Sequence, residues 1–276
     1  MLRLCLLAAI LCSCAAATET PTIDEAFNHL YDFDFPATHR ALNQYISAHP
    51  QDPLPYAIQA SADLFYELHR LGVLESEFLE SDKKLADKKA LQPDPQVRAD
   101  LMAALEQAQT RASKILDDDP DNRNALFTMC ISQGITTDYM ALIEKHQFLS
   151  LSPAKKSNKY AQRLLKLDPH FYDAYLTAGL SEYLLGSLPF FVRWFVHFDN
   201  VSGSKDRAME NLRLVAREGH YLKPFAKILL GIIDLREKRP QEARQLLIEL
   251  SNHYPNNPLF RTELAKLNTK LGREAN

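Results

Sequence analysis

The chain has 276 residues, a formal net charge of −3, and 46% hydrophobic residues. This length suits one elongated domain or two small ones. Acidic and basic residues are mixed without a basic block, which argues against a nucleic-acid-binding protein. Helical periodicity covers most of the sequence and no alternating run predicts a strand, so we expect an all-α fold.

Residues 1–17 have the features of a targeting leader, with Arg3 ahead of an apolar run of eight residues at 4–11. This run is too short to span a bilayer. It ends in Leu11-Cys-Ser-Cys14, which resembles a bacterial lipobox with Cys12 off pattern. The alanines at 15–17 offer ordinary signal peptidase an alternative site. The short apolar run favours the lipobox, and we expect Cys14 to carry lipid.

Residues 18–21 are then a linker in front of the folded chain. The leader predicts a protein of the bacterial cell envelope, either anchored by lipid to the periplasmic side of the outer membrane or released as a periplasmic or secreted protein. After the leader only Cys130 remains, so an intramolecular disulfide is not possible in the body. Cys130 is interpreted as a small packed residue or, alternatively, as a reactive thiol.

The first half of the body predicts three helices and an insert. Thr22-Ile-Asp-Glu25 is a capping box that should start a helix ending near Phe35. Pro36 suits the first turn of a second helix, which should end near His49. A third helix is predicted over residues 53–71, ahead of Gly72.

The first insert covers residues 73–95 and precedes a helix predicted over 96–116. Its charged stretch at 81–89 fits a solvated helix or loop and, alternatively, an interaction patch. Asp121 is predicted to cap the next helix, which contains Leu126, Met129 and Cys130.

Two further inserts are predicted near residues 136–151 and 186–203. The last helical pair is the clearest, with helices over 223–237 and 241–254. A capping helix should follow over 257–271.

Four prolines follow helical stretches that carry similar residues at fixed offsets. Twelve, eight and five residues before them stand side chains that share one helical face: Ala243, Leu247 and Leu250 before Pro255; Ser157, Ala161 and Leu164 before Pro169; Ala108, Ala112 and Ile115 before Pro120; and Thr38, Leu42 and Tyr45 before Pro50. A small residue recurs at one position of a 34-residue period, where a second helix can approach closely: Ala60, Cys130, Gly179 and Gly231. We expect Gly231 to pack against the helix of Ala243, so that leucine at this position would overpack the contact.

This pattern resembles the tetratricopeptide repeat superfamily over residues 22–271. The resemblance implies an all-α, right-handed solenoid of helical hairpins with inserts. Residues 168–258 more narrowly resemble a group of exported bacterial repeat proteins, and they are distantly similar to eukaryotic repeat proteins of the outer mitochondrial membrane and inclusion-body clearance. The likeness implies a protein that holds other proteins and supplies no catalytic residue.

Patterns for metal binding or catalysis are weak. His29, His39 and His49 are spaced by ten, which does not place ligands on one helical face. The acidic run at 117–121 fits helix capping and, less well, a calcium site. The stretch Gly203-Ser-Lys-Asp fits a turn with a cap and, alternatively, an anion site. We expect no metal, no cofactor and no enzymatic activity.

The first helices of the predicted pairs place apolar residues where repeat proteins that grip acidic C-termini carry Lys and Asn. We therefore expect an apolar partner-binding surface on the concave face. The predicted contact residues are Phe127, Ile131, Tyr175, Leu176, Leu180, Ile228 and Ile232, together with Trp194 of the third insert. The apolar stretch at 188–198 around Trp194 should lie against this surface, with docking onto a partner or a membrane interface as the alternative.

The sequence thus predicts a non-catalytic, membrane-anchored scaffold that binds a protein or peptide through its concave face. Two alternatives remain: a structural subunit of an envelope assembly that uses its inserts and ends, and a small-molecule binder or enzyme.

Overall fold

The computed structural model describes residues 21–75, 91–187 and 201–274. These residues form eleven α-helices and one π-helical turn, without a strand among them. The helices are α1 Ile23–Tyr31, α2 Phe35–Ala48, α3 Leu54–Arg70, α4 Pro95–Asp118, α5 Arg123–Asp138, α6 Leu151–Leu167, α7 Ala174–Ser187, α8 Lys205–Glu218, α9 Lys223–Arg236, α10 Pro240–His253 and α11 Pro258–Glu274, and the π-helical turn is Tyr139–Ile143.

Each helix packs against the next one along the chain, including α2 against α3. The odd-numbered helices α1, α3, α5 and α7 touch one another in sequence as well. The all-α prediction is therefore confirmed for the described residues, and the helices pack in neighbouring pairs.

Local signals set the helix ends. Thr22 and Glu25 form the predicted capping box at the start of α1, and Pro36 occupies the first turn of α2. Gly72 follows α3 with a φ of 71°, a backbone conformation that glycine adopts at little cost. The cap of α5 was wrongly predicted: Asn122, not Asp121, accepts a hydrogen bond from the amide of Ala125.

The recurring position twelve residues before each proline is buried. Thr38, Ala108, Ser157 and Ala243 are each at most 3% exposed, as expected of residues that face a neighbouring helix. These residues lie one each on α2, α4, α6 and α10, where they pack against a neighbouring helix.

The recurring small position of the odd-numbered helices is tightly packed at Gly179 and open at Gly231. A Cβ added to Gly179 would lie 3.1 Å from the carbonyl oxygen of Ala208 and from a side-chain atom of Leu212, so α7 and α8 approach closely there. At Gly231 no described residue lies within 4 Å of such a Cβ. Gly231 is buried and α9 packs against α10, but an added Cβ at this position would meet no described atom, so the predicted overpacking by a larger residue is not supported.

The joint between α5 and α6 contains the predicted second insert. The π-helical turn begins at Tyr139, whose ring is buried, and the chain then turns back through residues 144–150. Phe148 and Leu149 project from this turn with 81% and 63% of their surface exposed.

The two ends of the described chain meet. Asn257 donates from Nδ2 to the carbonyl oxygen of Tyr31 (2.8 Å), and the amide of Asn256 donates to Asp32 (3.0 Å). The Tyr31 hydroxyl donates to the carbonyl oxygen of Tyr221 (3.0 Å). The helix α1 is thereby fixed to the segments on either side of α9 and α10.

Several predictions concern residues outside the described ranges. These are the leader with Cys14, nearly all of the 18–21 linker, the charged stretch at 81–89, and the apolar stretch at 188–198 with Trp194. No helix within the described part of the chain has both the length and the apolar character that a membrane crossing requires.

Candidate functional site

The predicted contact residue Phe127 lies inside the protein. It is 1% exposed, and its ring centre is 4.9 Å from that of Phe171 and 6.1 Å from that of Tyr221. Leu176 is 6% exposed and belongs to a cluster formed with α8 and α9. These two side chains can reach a partner only after their neighbours move.

Aromatic residues around the start of α9 cover the odd-numbered helices. The ring of Tyr221 lies 4.9 Å from that of Phe27, and the ring of Phe225 lies 5.6 Å from that of Phe65. Because these four residues come from α1, α3 and the α9 region, the apolar surface predicted as a groove is largely occupied by the chain itself.

The other predicted contact residues are half-buried. Ile131 and Ile228 pack against the same cluster as Phe127, while Leu180 and Ile232 also lie between buried and exposed. Tyr175 lies elsewhere, in a cleft between α6 and α8. That these residues contact a partner stays a prediction.

A buried carboxylate fixes the segment that carries Tyr221. Asp173 accepts hydrogen bonds from the amides of His220, Tyr221 and Leu222 at 3.2, 3.2 and 2.9 Å. Burial raises the pKa of Asp173, although the three amide donors oppose this. The aromatic cover over the odd-numbered helices is thus held by hydrogen bonds as well as by packing.

Glu182 likewise binds backbone amides, at the turn before α8. Its buried carboxylate accepts hydrogen bonds from the amides of Ser202 and Ser204 and from Arg207. Ser204 caps α8, and Gly203 has a φ of 75°. The Gly203-Ser-Lys-Asp stretch is therefore a turn with a cap, and its free amides are taken by a carboxylate of the same chain.

A basic cleft lies on the side of the even-numbered helices. We call it the α4–α6 groove: α4 and α6 form its walls, the α5 residues Met129 and Gln133 form its floor, and its volume is about 770 Å³. Its charged lining consists of four cations and one carboxylate: Lys114, Lys156, Lys159, Arg163 and Asp117.

Charges in the α4–α6 groove are poorly balanced. Arg163 pairs with Asp121 at 3.3 Å, but no described carboxylate pairs with Lys114, Lys156 or Lys159. The lining of the groove therefore carries more positive than negative charge, in a chain whose net charge is −3.

The helix α6 supplies most of this charge. It contains five Lys and Arg residues, at positions 155, 156, 159, 163 and 166, and no Asp or Glu. At 3.6 residues per turn all five lie within an arc of about 100°. The opposite face of α6 is buried through Ala161 and Leu164.

The sequence analysis did not predict this basic face, because it looked for runs of charge in the sequence and not for charge on one face of a helix. The pattern is nevertheless present: residues 151–167 contain five Lys and Arg residues and no Asp or Glu, and their spacing places all five on one face of a helix. Only the position of α4 opposite α6, which the sequence does not reveal, turns the face into a groove.

The described residues offer little for metal or thiol chemistry. No group of three His, Cys, Asp or Glu side chains within the described ranges could hold a metal ion. In the acidic run, Asp119 accepts hydrogen bonds from the amide of Asp121 and from the side chain of Asn122. Cys130 is buried, its Sγ lies 3.2 Å from Oγ1 of Thr177, and burial raises its pKa, which fits the packed-residue interpretation.

Comparison with protein-family models, with curated proteins and with solved structures found no match for this chain. The likeness to tetratricopeptide repeats therefore depends on the sequence pattern alone.

Proposed function

We propose that this protein is a non-catalytic scaffold that binds an acidic segment of a protein partner in the α4–α6 groove. The observation that supports this function is the excess of positive charge in an open cleft, where Lys114, Lys156 and Lys159 lack a described carboxylate partner. Cations arranged along a groove attract acidic chains and set their position.

Within this proposal the helical pairs form a right-handed solenoid of the tetratricopeptide type. The pairing of neighbouring helices and the burial of the recurring residue twelve positions before each proline support that architecture. Such units stack because none buries its apolar face alone. Export and lipid anchoring are part of the proposal and depend on the leader at residues 1–17.

We propose the groove and not the odd-numbered helices as the partner site because the chain itself buries Phe127 and Leu176. A partner bound there would have to displace Tyr221 and Phe225. The α4–α6 groove needs no such rearrangement.

The test is fluorescence anisotropy with the full chain and a labelled peptide of five glutamates. We expect binding that weakens strongly as salt is raised, since exposed charges are screened. Lys156→Glu combined with Lys159→Glu should weaken binding at least tenfold.

The matched control is Arg40→Glu combined with Arg261→Glu, which makes the same change in net charge on exposed positions of α2 and α11. Equal losses in both double variants would show that net charge and not the groove is responsible, and the proposed site would be rejected.

A further inference from the structure

The α4–α6 groove has two neighbouring clefts along the helices α6 and α8. A cleft of about 520 Å³ lies between α6 and α8 and is lined by Lys166 and Arg207; we call it the α6–α8 groove. A third, of about 650 Å³, follows α8 up to Arg239, the residue before α10; we call it the α8 groove. Consecutive grooves share a helix, α6 between the first two and α8 between the last two.

Cations line each of the three grooves. The α8 groove presents Arg213 and Arg217 together with Asp206 and Glu210, and its third cation, Arg239, is paired with Asp234 at 2.6 Å. In the α6–α8 groove the one carboxylate, Glu182, is paired with Arg207, which leaves Lys166 as the cation without a described carboxylate partner. Taken together, the three grooves are lined by nine cations and four carboxylates.

Amide side chains stand beside the cations. Gln109 and Gln133 line the first groove, and Gln162 and Asn211 line the second. An amide side chain both donates and accepts, so it can pair with the N–H and C=O groups of an extended peptide. These features favour an acidic polypeptide as the ligand.

We infer that a single acidic polypeptide chain crosses all three grooves, over α6 and α8, and that binding is therefore multivalent. This inference rests on the proposed function and extends it from one groove to three. Packed helices lie about 8–10 Å apart, so three such spacings from α4 to α10 give a path of about 24–30 Å. An extended chain covers this distance with about nine residues, at roughly 3.3 Å each.

The inference is tested by peptide length, using the full chain and labelled peptides of five and fifteen glutamates. Linked contacts raise affinity well beyond that of one contact. We expect the fifteen-residue peptide to bind at least tenfold more tightly than the five-residue peptide after correction for the number of binding registers.

Charge reversal in the third groove separates this inference from the proposed function. Arg213→Glu combined with Arg217→Glu should abolish the gain from length and leave binding of the five-residue peptide unchanged. If the five-residue peptide binds but the longer one gains no affinity, the path across three grooves is wrong and the proposed function in the α4–α6 groove is retained. If neither peptide binds, the proposed function and this inference are both wrong.

The ligand class is tested with a fifteen-nucleotide oligothymidine. Binding as tight as that of the long peptide would overturn the assignment of a polypeptide ligand.

Discussion

Buried carboxylates fasten the joints between helices in this protein. Glu182 holds the turn before α8, Asp173 holds the segment before α9, and Asp234 pairs with Arg239 (2.6 Å) before α10. A hydrogen bond to a charged group contributes about 1.5–3 kcal/mol, and a buried donor left without its acceptor costs a similar amount. We therefore expect the loss of one such carboxylate to destabilise the segment that it binds.

The change Glu182→Gln should lower the free energy of unfolding by about 2–3 kcal/mol. The amide keeps the shape of the side chain but places an NH₂ group toward the amides of Ser202 and Ser204. Urea denaturation measures the loss, and hydrogen exchange should accelerate at those two amides. The exposed Glu106→Gln on α4 is the control and should change stability little.

This effect depends on pH in a defined direction. Burial alone would raise the pKa of Glu182, but the amide donors of Ser204, Ser202 and Gly203 outweigh it and hold the pKa below its ordinary value. The unfolded chain then takes up the proton first as pH falls, so the stabilisation is complete above the unfolded pKa of about 4.3 and is lost below it. The difference between wild type and Glu182→Gln should shrink below about pH 4. A difference that grows in acid would contradict this role.

Two glycines at the same repeat position should respond in opposite ways to alanine. Gly179→Ala places a methyl group 3.1 Å from the backbone carbonyl oxygen of Ala208 and should cost about 1–3 kcal/mol. Gly231→Ala meets no described atom within 4 Å and should be neutral or stabilise by up to about 1 kcal/mol. Urea denaturation of both variants decides the matter. Equal losses would show that the two positions are packed alike.

At the scale of the helices, the start of α5 shows how one residue defines an element. Asn122→Ala should cost about 1 kcal/mol because the amide of Ala125 loses its acceptor. Asp121→Ala removes only an exposed carboxylate 3.3 Å from Arg163 and should change stability by less than about 0.5 kcal/mol. Thermal unfolding of the two variants measures the difference. A larger loss of stability for Asp121→Ala than for Asn122→Ala would show that Asp121 caps α5, as the sequence predicted.

The helices were predictable because their signals are local. The capping box at Thr22, the stop at Gly72 and the apolar faces before the prolines each require only a few neighbouring residues, and the structure has helices there. The cap of α5 was misplaced by one residue because Asp121 and Asn122 are both good caps.

The candidate site was not predictable in the same way. Whether Phe127 faces a groove or the interior depends on Tyr221, which lies 94 positions further along the chain. Hydrophobic periodicity identifies an apolar face but does not identify what covers it. Likewise, the basic face of α6 lines a groove only because α4 lies opposite it, and the sequence does not show where α4 lies.

At the scale of the whole molecule, contact between the two ends of the described chain distinguishes this protein from an open array of repeats. In an open array each unit touches only its neighbours, and the ends unfold independently. Here Phe27 of α1 stacks on Tyr221 before α9, and Asn257 before α11 bonds to the backbone of Tyr31. The two ends should therefore gain and lose structure together.

Phe27→Ala tests this coupling. Phe27 is 5% exposed, and removing its ring should cost about 3 kcal/mol. Hydrogen exchange should accelerate in α9 and α10 as well as in α1. In a double-mutant cycle with Tyr221→Ala, the two rings should show a coupling of about 0.5–1.5 kcal/mol.

The control for Phe27→Ala is a core change far from the closure. Leu105 of α4 is 4% exposed and packs with residues of α3 and the π-helical turn, so Leu105→Ala should accelerate exchange around α3, α4 and α5 and leave α1 protected. If Phe27→Ala instead affects only α1 and α2, the ends are not coupled in solution and the molecule behaves as an open array. The surface of the odd-numbered helices would then be accessible, and Ile131 and Ile228 would return as the first residues to test for partner binding.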